Sequence, residues 1–234
     1  MNLTEVTVKY PRGATIFAAC CASIFCVLGV IGNLVTILAL TRCPKLRIHA
    51  TTAFVLSLCI SDLIFCLVNL PLTASRYINE AWTFGDALCQ LFPVLFYGNV
   101  AVSVLNMVAI TLNRPLPDKR ITKREKDDRR LTKLMAIIFI CILLCFLPLM
   151  IVNVFDDNDP KYPVLHILAS VLTWASSVIN PFIYAASNRQ YRSAYSKLFR
   201  IVKSSVAFSD SKQGSRASKE KIGSVTLKPS GASS

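Results

Sequence analysis

The chain has 234 residues, 53% hydrophobic and 17% charged, with a formal net charge of +13 and a mean hydropathy of +0.51. That balance excludes an ordinary soluble domain, because the charges are gathered and the stretches between them are apolar. Nucleic acid is also excluded as the reason for the positive charge. Of the 26 Lys and Arg, 22 fall between Arg42 and Arg47, Arg114 and Lys133, or Arg189 and Lys228, the clustering that membrane topology produces.

In chain order, residues 1–13 form a short leading segment that holds Asn2-Leu3-Thr4, an N-glycosylation pattern. Five uncharged or nearly uncharged runs follow, and the spacing predicts membrane helices over 14–41, 51–75, 87–113, 133–155 and 163–187. Each reaches the roughly 20 residues that a helix needs to cross hydrocarbon. The first is too long, and starts too far from a basic terminus, to be a cleaved signal peptide. Residues 189–202 alternate basic and aromatic side chains at helical spacing, which predicts an amphipathic helix on the inner leaflet. Residues 203–234 are rich in Ser, Lys and Gly and read as a disordered tail. The fold class is therefore all-α and membrane-embedded.

The three basic blocks lie at the same ends of the runs, whereas Glu80, Asp86, Asp156, Asp157 and Asp159 lie at the other ends. Positive charge stays on the cytoplasmic side, so the N-terminus is outside, the C-terminus inside, and the plasma membrane is the expected location. The nine cysteines have no metal-ligand spacing. Most lie within spans, where a thiol behaves as a small apolar group, and Cys89 alone stands at an outer end. With two His, no Gly-rich phosphate loop and no acid pair placed for a cleft, nothing supports an enzyme.

Polar groups inside the runs carry the information, because a mid-membrane charge costs several kcal/mol and marks function. Asp62 is the one acid within a span. Asn33 lies in the first run. Asn99 and Ser103, four apart, share one helical face of the third run, and Ser176, Ser177 and Asn180 share a face of the fifth. A small polar residue can simply bond a neighbouring helix, but an Asp with this many amides and hydroxyls available predicts a hydrated polar cluster.

Asn180-Pro181-Phe-Ile-Tyr184 followed by a basic-aromatic segment resembles the seventh and eighth helices of rhodopsin-like G-protein-coupled receptors. Gly32-Asn33, Ser57-Leu58-x-x-Ser61-Asp62, Cys145-Phe146-Leu147-Pro148, Trp82-x-Phe84-Gly85, Cys89 and Asn113-Arg114 are similar to further motifs of that family, in its order and spacing. Within it, the Asn-Arg variant and the Asn188-Arg-Gln-Tyr-Arg tail are most similar to the insect moody and trapped-in-endoderm receptors, near the melatonin-like group. The resemblance implies a sodium ion at Asp62 with Asn33, Asn99, Ser103, Ser177 and Asn180 as its polar surroundings. It implies activation roles for Asn113, Arg114, Asp128, Phe146, Pro148, Pro181 and Tyr184. It implies heterotrimeric G proteins and arrestin as partners beside membrane lipid, and a role in cell migration or epithelial and glial barriers. Arg114 either meets Asp128 or, with Pro115 ending the helix, is a solvated loop charge.

One departure is clear. After Arg114 the chain reads Pro115-Leu116-Pro117-Asp118 and passes through basic sequence into the fourth run, where the family has a fourth and a fifth helix. The runs then correspond to family helices one, two, three, six and seven, a partial seven-helix bundle with unchanged membrane polarity. The outer-loop cysteine that pairs with Cys89 in the family falls in the missing part, so Cys89 is half of a disulfide without a partner. Phe96 stands where amine receptors carry Asp, and with Tyr97, Val100, Asn153, Ser170 and Trp174 it lines an expected pocket for a non-amine, lipid-like ligand. A non-signalling splice form or incomplete gene model that binds and retains the full-length receptor, in the endoplasmic reticulum, is the alternative.

Overall fold

The computed structural model describes residues 10–44, 50–112, 123–155, 162–187, 189–201 and 203–204. Asn2, Asn113, Arg114 and the tail from residue 205 lie outside the described residues, as does the side chain of Asp128.

The helices are α1 (Arg12–Thr41), α2 (Ala50–Ile64), a π-helical segment (Phe65–Asn69), α3 (Leu70–Asn79), α4 (Gly85–Leu112), α5 (Lys123–Phe155) and α6 (Pro163–Ser187). A last helix, α7, covers residues 189–201. Five stretches are long and apolar enough to cross a membrane: Arg12–Thr41, Thr52–Asn79, Gly85–Asn106, Ala136–Phe155 and Pro163–Ala186. Helix is the natural state for such sequence, since each backbone N–H and C=O must be bonded within the segment when no water is present. α5 starts upstream of its apolar run, at Lys123, so the helix extends through the basic stretch before it enters the span. Pro93, Pro148 and Pro181 all lie inside helices that continue past them.

The spans pack in a ring with α6 between α1 and α5, and with α2 and α3 between α1 and α4. Close approach is set by small residues, as expected where lipid tails are as apolar as the side chains. α1 buries Ala18, Ala22, Gly29 and Asn33 along one stripe. A Cβ on Gly29 would collide with Sγ of Cys66, and one on Gly32 would lie 3.1 Å from Cγ of Pro181.

Two apolar layers result. The inner layer joins Leu40, Val55, Cys59, Leu134, Ile138 and Tyr184 with Tyr191, Ala194 and Leu198 of α7. The apolar stripe of α7 thus faces the bundle, where the sequence alone suggested lipid; Phe199 remains exposed. The hydroxyl of Tyr195 sits 3.0 Å from that of Thr36, and the rings of Tyr184 and Tyr191 stack at 5.5 Å. Burial raises the Tyr195 phenol to about 12, so it stays neutral in this contact. The outer layer joins Ala18, Ala22, Phe65, Cys66, Leu70, Trp174 and Val178.

The third span stands apart. Of its apolar window 6% is buried, against 56% for the fifth. Leu91, Val94, Tyr97, Val104, Leu105 and Val108 point outward.

Candidate functional site

Asp62 is 1% exposed, at mid-span on α2. Its Oδ2 accepts a hydrogen bond from Nδ2 of Asn180 at 2.8 Å, and its Oδ1 accepts one from Nδ2 of Asn99 at 3.3 Å. The same Asn99 amide donates to Oγ of Ser177 at 2.9 Å, while Ser61 donates to Oδ1 of Asn99 at 2.5 Å. The Ser177 hydroxyl also bonds to the Asp62 carboxylate. Nδ2 of Asn33 donates to the Ser177 and Gly29 carbonyls, both at 3.0 Å. Groups from the third and fifth spans therefore converge on one carboxylate of the second, and Asn33 of the first joins the network through the Ser177 backbone. Among the described residues, the one ion pair is between Arg12 and Glu80 at the outer end, so amides and hydroxyls surround Asp62 rather than a cation. Charge-assisted bonds of this kind are stronger than neutral ones in a low-dielectric interior.

The expected members take different positions. Asn99, Ser177 and Asn180 surround Asp62, and Asn33 stands one bond further out, on the Ser177 carbonyl. Ser103 is buried beside them, but its hydroxyl donates to the Asn99 carbonyl at 3.0 Å, one turn back on its own helix. Ser176, read as part of the same face, donates to the Thr173 carbonyl at 2.6 Å instead. The buried Oδ1 atoms of Asn33 and Asn180 have no protein donor. Ser61 was not singled out as a site residue; its position one before Asp62 was the available signal. Tyr184, one turn beyond Asn180, is fully buried against Tyr191. A second bond ties the fifth span to the fourth: the Thr173 hydroxyl reaches the Cys145 carbonyl at 3.2 Å, three residues before Pro148.

The residues expected to line a pocket divide into two groups. Phe96 is the hub of one, with ring centroids 5.8 Å from Phe65, 5.2 Å from Tyr97 and 6.2 Å from Phe146. Tyr97 is largely exposed on the open side of α4, and Val100 is half-buried. Trp174 and Ser170 form the other group. Trp174 is buried with its ring 6.0 Å from Tyr77, and Ser170 bonds to the Tyr77 hydroxyl. Asn153 is exposed, its Oδ1 3.1 Å from Nε2 of His166. Tyr10 covers this end, 6.3 Å from both Tyr77 and His166. Sequence reasoning missed Tyr10 and Tyr77, because aromatic residues near span ends also serve as ordinary interface anchors. Cys89 is exposed and unpaired at the outer end of α4.

Residues 32–116 match the family model of the 7 transmembrane receptor (rhodopsin family). That match ends beside Arg114-Pro115, where the departure in sequence begins. The chain is 38% identical to Protein trapped in endoderm-1 of Drosophila melanogaster, covering 83% of this chain and 80% of that protein. That comparison spans 313 residues and the whole chain has 234, so at least 79 residues of the relative (313 less 234) have no counterpart here. G-protein coupled receptor moody of the same species is 44% identical over 98 residues, which are 42% of this chain and 14% of that protein. Lysophosphatidic acid receptor 6 of Gallus gallus is 36% identical over 132 residues, 55% of this chain and 41% of the relative. In fold, the crystal structure of squid rhodopsin superposes with a TM-score of 0.70 at 15% identity, covering 86% of this chain and 90% of that one.

Proposed function

The chain belongs to the rhodopsin family of seven-transmembrane, G-protein-coupled receptors, and on that premise we propose that it passes an extracellular signal from a neutral, lipid-like ligand to heterotrimeric G proteins at the plasma membrane. The polar network that centres on Asp62 and links four spans supports this reading most directly. A buried carboxylate bonded to two helices besides its own, one of them tied in turn to the first span through Asn33, has a different energy whenever those helices shift, which is the bistable element a transmembrane switch needs. Phe96 in place of an acid, with aromatic neighbours, favours an uncharged ligand over an amine. Cell migration or barrier formation is the biological setting we attach to this reading, and arrestin its further partner.

The donors around Asp62 are carboxylate, hydroxyl and amide oxygens, and two buried amide oxygens there lack protein partners, so these residues fit a small hard monovalent cation, Na+. Bound there, the ion would neutralise the carboxylate. Asp62 would hold it, with Ser177, Asn99 and Asn180 completing the oxygen set. Chain residues already orient the carboxylate from both sides, through Asn180 on Oδ2 and Asn99 on Oδ1.

The open face of the third span favours a second reading. With little of that span buried, the chain would associate with the full-length receptor and retain it without signalling. Two measurements separate these readings. Chain reconstituted in lipid vesicles with a heterotrimer should accelerate guanine-nucleotide exchange over empty vesicles, and tagged chain should be labelled at the cell surface. No acceleration together with wholly internal protein removes the first reading.

A further inference from the structure

Asn69 is 1% exposed in the outer half of the second span, and neither its Nδ2 nor its Oδ1 has a hydrogen-bond partner. It closes the π-helical segment, where the Leu70 N–H reaches back to the Phe65 carbonyl. Pro71, two residues on, has no amide hydrogen to offer the turn before it and crowds that turn with its ring, and a π turn is one way to relieve the strain. Short π segments of this kind recur at functional sites.

The surroundings are apolar and uncharged. Cys66, Asn69 and Thr73 share the buried stripe of this span. Phe65 packs on Phe96, and outward of Asn69 the Tyr77 ring packs on Trp174. Asp62 lies seven residues inward, about 10 Å along the axis. Arg76 is exposed, and Arg12 is held by Glu80. A buried amide with neither edge bonded presents one donor and one acceptor side by side. The complementary group offers an acceptor and a donor side by side, which an uncharged amide does. A carboxylate offers acceptors alone and finds no cation here.

We propose that Asn69 is the recognition point of a binding site for an uncharged long-chain amide, the amide pairing with Asn69 and the chain packing among Phe65, Phe96, Tyr77 and Trp174. This rests on the reading of the protein as a receptor for a neutral ligand and names the chemistry of that ligand.

The test uses the full chain in lipid nanodiscs with oleamide, methyl oleate and oleate as probes, following the thermal unfolding midpoint across a titration of each. Oleamide should raise the midpoint saturably, and the ester and the acid should do so at concentrations about tenfold higher or more. Asn69→Leu should unfold no lower than the parent without probe, because it removes an unpaired polar group, and should lose the preference for oleamide. Equal responses to the three probes, unchanged selectivity in Asn69→Leu, or no saturable response would overturn the proposal. So would a lower midpoint for unliganded Asn69→Leu, which would make the amide a structural group. Nucleotide exchange on a heterotrimer is read separately, so failure here leaves the receptor reading standing.

Discussion

At Gly29 the first span lies directly against the second and fifth, and adding one methyl group there has a calculable effect. A Cβ at this position would sit 3.3 Å from Cβ of Cys66 and 3.3 Å from Cγ2 of Val178, and would overlap Sγ of Cys66. Cys66 and Val178 are buried in the outer apolar layer and cannot swing into lipid. Gly29→Ala therefore forces the helices apart, an overpacking cost of about 1–3 kcal/mol. At roughly 2–4 °C per kcal/mol for a chain of this size, an effect of about 2 kcal/mol lowers the unfolding midpoint by about 4–8 °C. Cys66→Ala removes the overlapping sulfur, so the double variant should recover more than half of the loss, with a coupling energy of about 1 kcal/mol or more in the double-mutant cycle. Unfolding in nanodiscs, followed by tryptophan fluorescence, supplies all four corners. A Gly29→Ala midpoint within about 1 °C of the parent, or additivity of the two changes, would refute the close approach.

Further outcomes follow from other contacts. Replacing KCl by NaCl at constant ionic strength should raise the unfolding midpoint of the parent chain and leave that of Asp62→Asn unmoved; equal responses would dismiss a sodium site there. Tyr195→Phe should lower stability by about 1 kcal/mol through loss of the Thr36 contact, and its combination with Thr36→Val, which also gives up the Thr36 bond to the Gly32 carbonyl, should cost less than the sum of the two single changes, because they share one bond. Glu80→Gln breaks an ion pair whose side chains are 42% and 65% exposed, so stability should change by less than about 1 kcal/mol. On intact cells a membrane-impermeant maleimide should label Cys89, which is exposed, and spare Cys59 and Cys66, which are buried; absence of label on Cys89 in surface-expressed chain would reverse the proposed orientation.

The sequence made some of this legible and hid the rest for physical reasons. An acid in hydrocarbon is so costly that Asp62 announces itself, and the i, i+4 and i, i+3 spacings of Asn99 and Ser177 with their neighbours place amides and hydroxyls on inward faces. Spacing does not say which partner a hydroxyl takes. Ser103 and Ser176 bond to backbone carbonyls of their own helices, an outlet open to any Ser in a span. The Arg12–Glu80 pair, 68 residues apart, depends on how the outer ends meet and leaves no local mark. α7 shows the same ambiguity: its stripe of Tyr191, Ala194 and Leu198 suits lipid as well as protein, and the inner layer decides between them. Asn69 went unnoticed because a single amide in an apolar run looks like any interhelical bond. Only its unpaired edges set it apart, and those belong to the folded state.

The π turn at Phe65–Asn69 joins two α-helical halves of the second span and changes the angular setting of one against the other. The half below it is indexed by Asp62 and the half above by Tyr77 and Trp174. One extra residue in a turn offsets the upper half by about 100° from a continuous α-helix. A one-residue deletion inside the segment would therefore leave the carboxylate centre in register and rotate every outward-half side chain to a different neighbour. Length variation at this one turn is a route by which related chains can change what their outer half recognises while keeping the inner machinery intact.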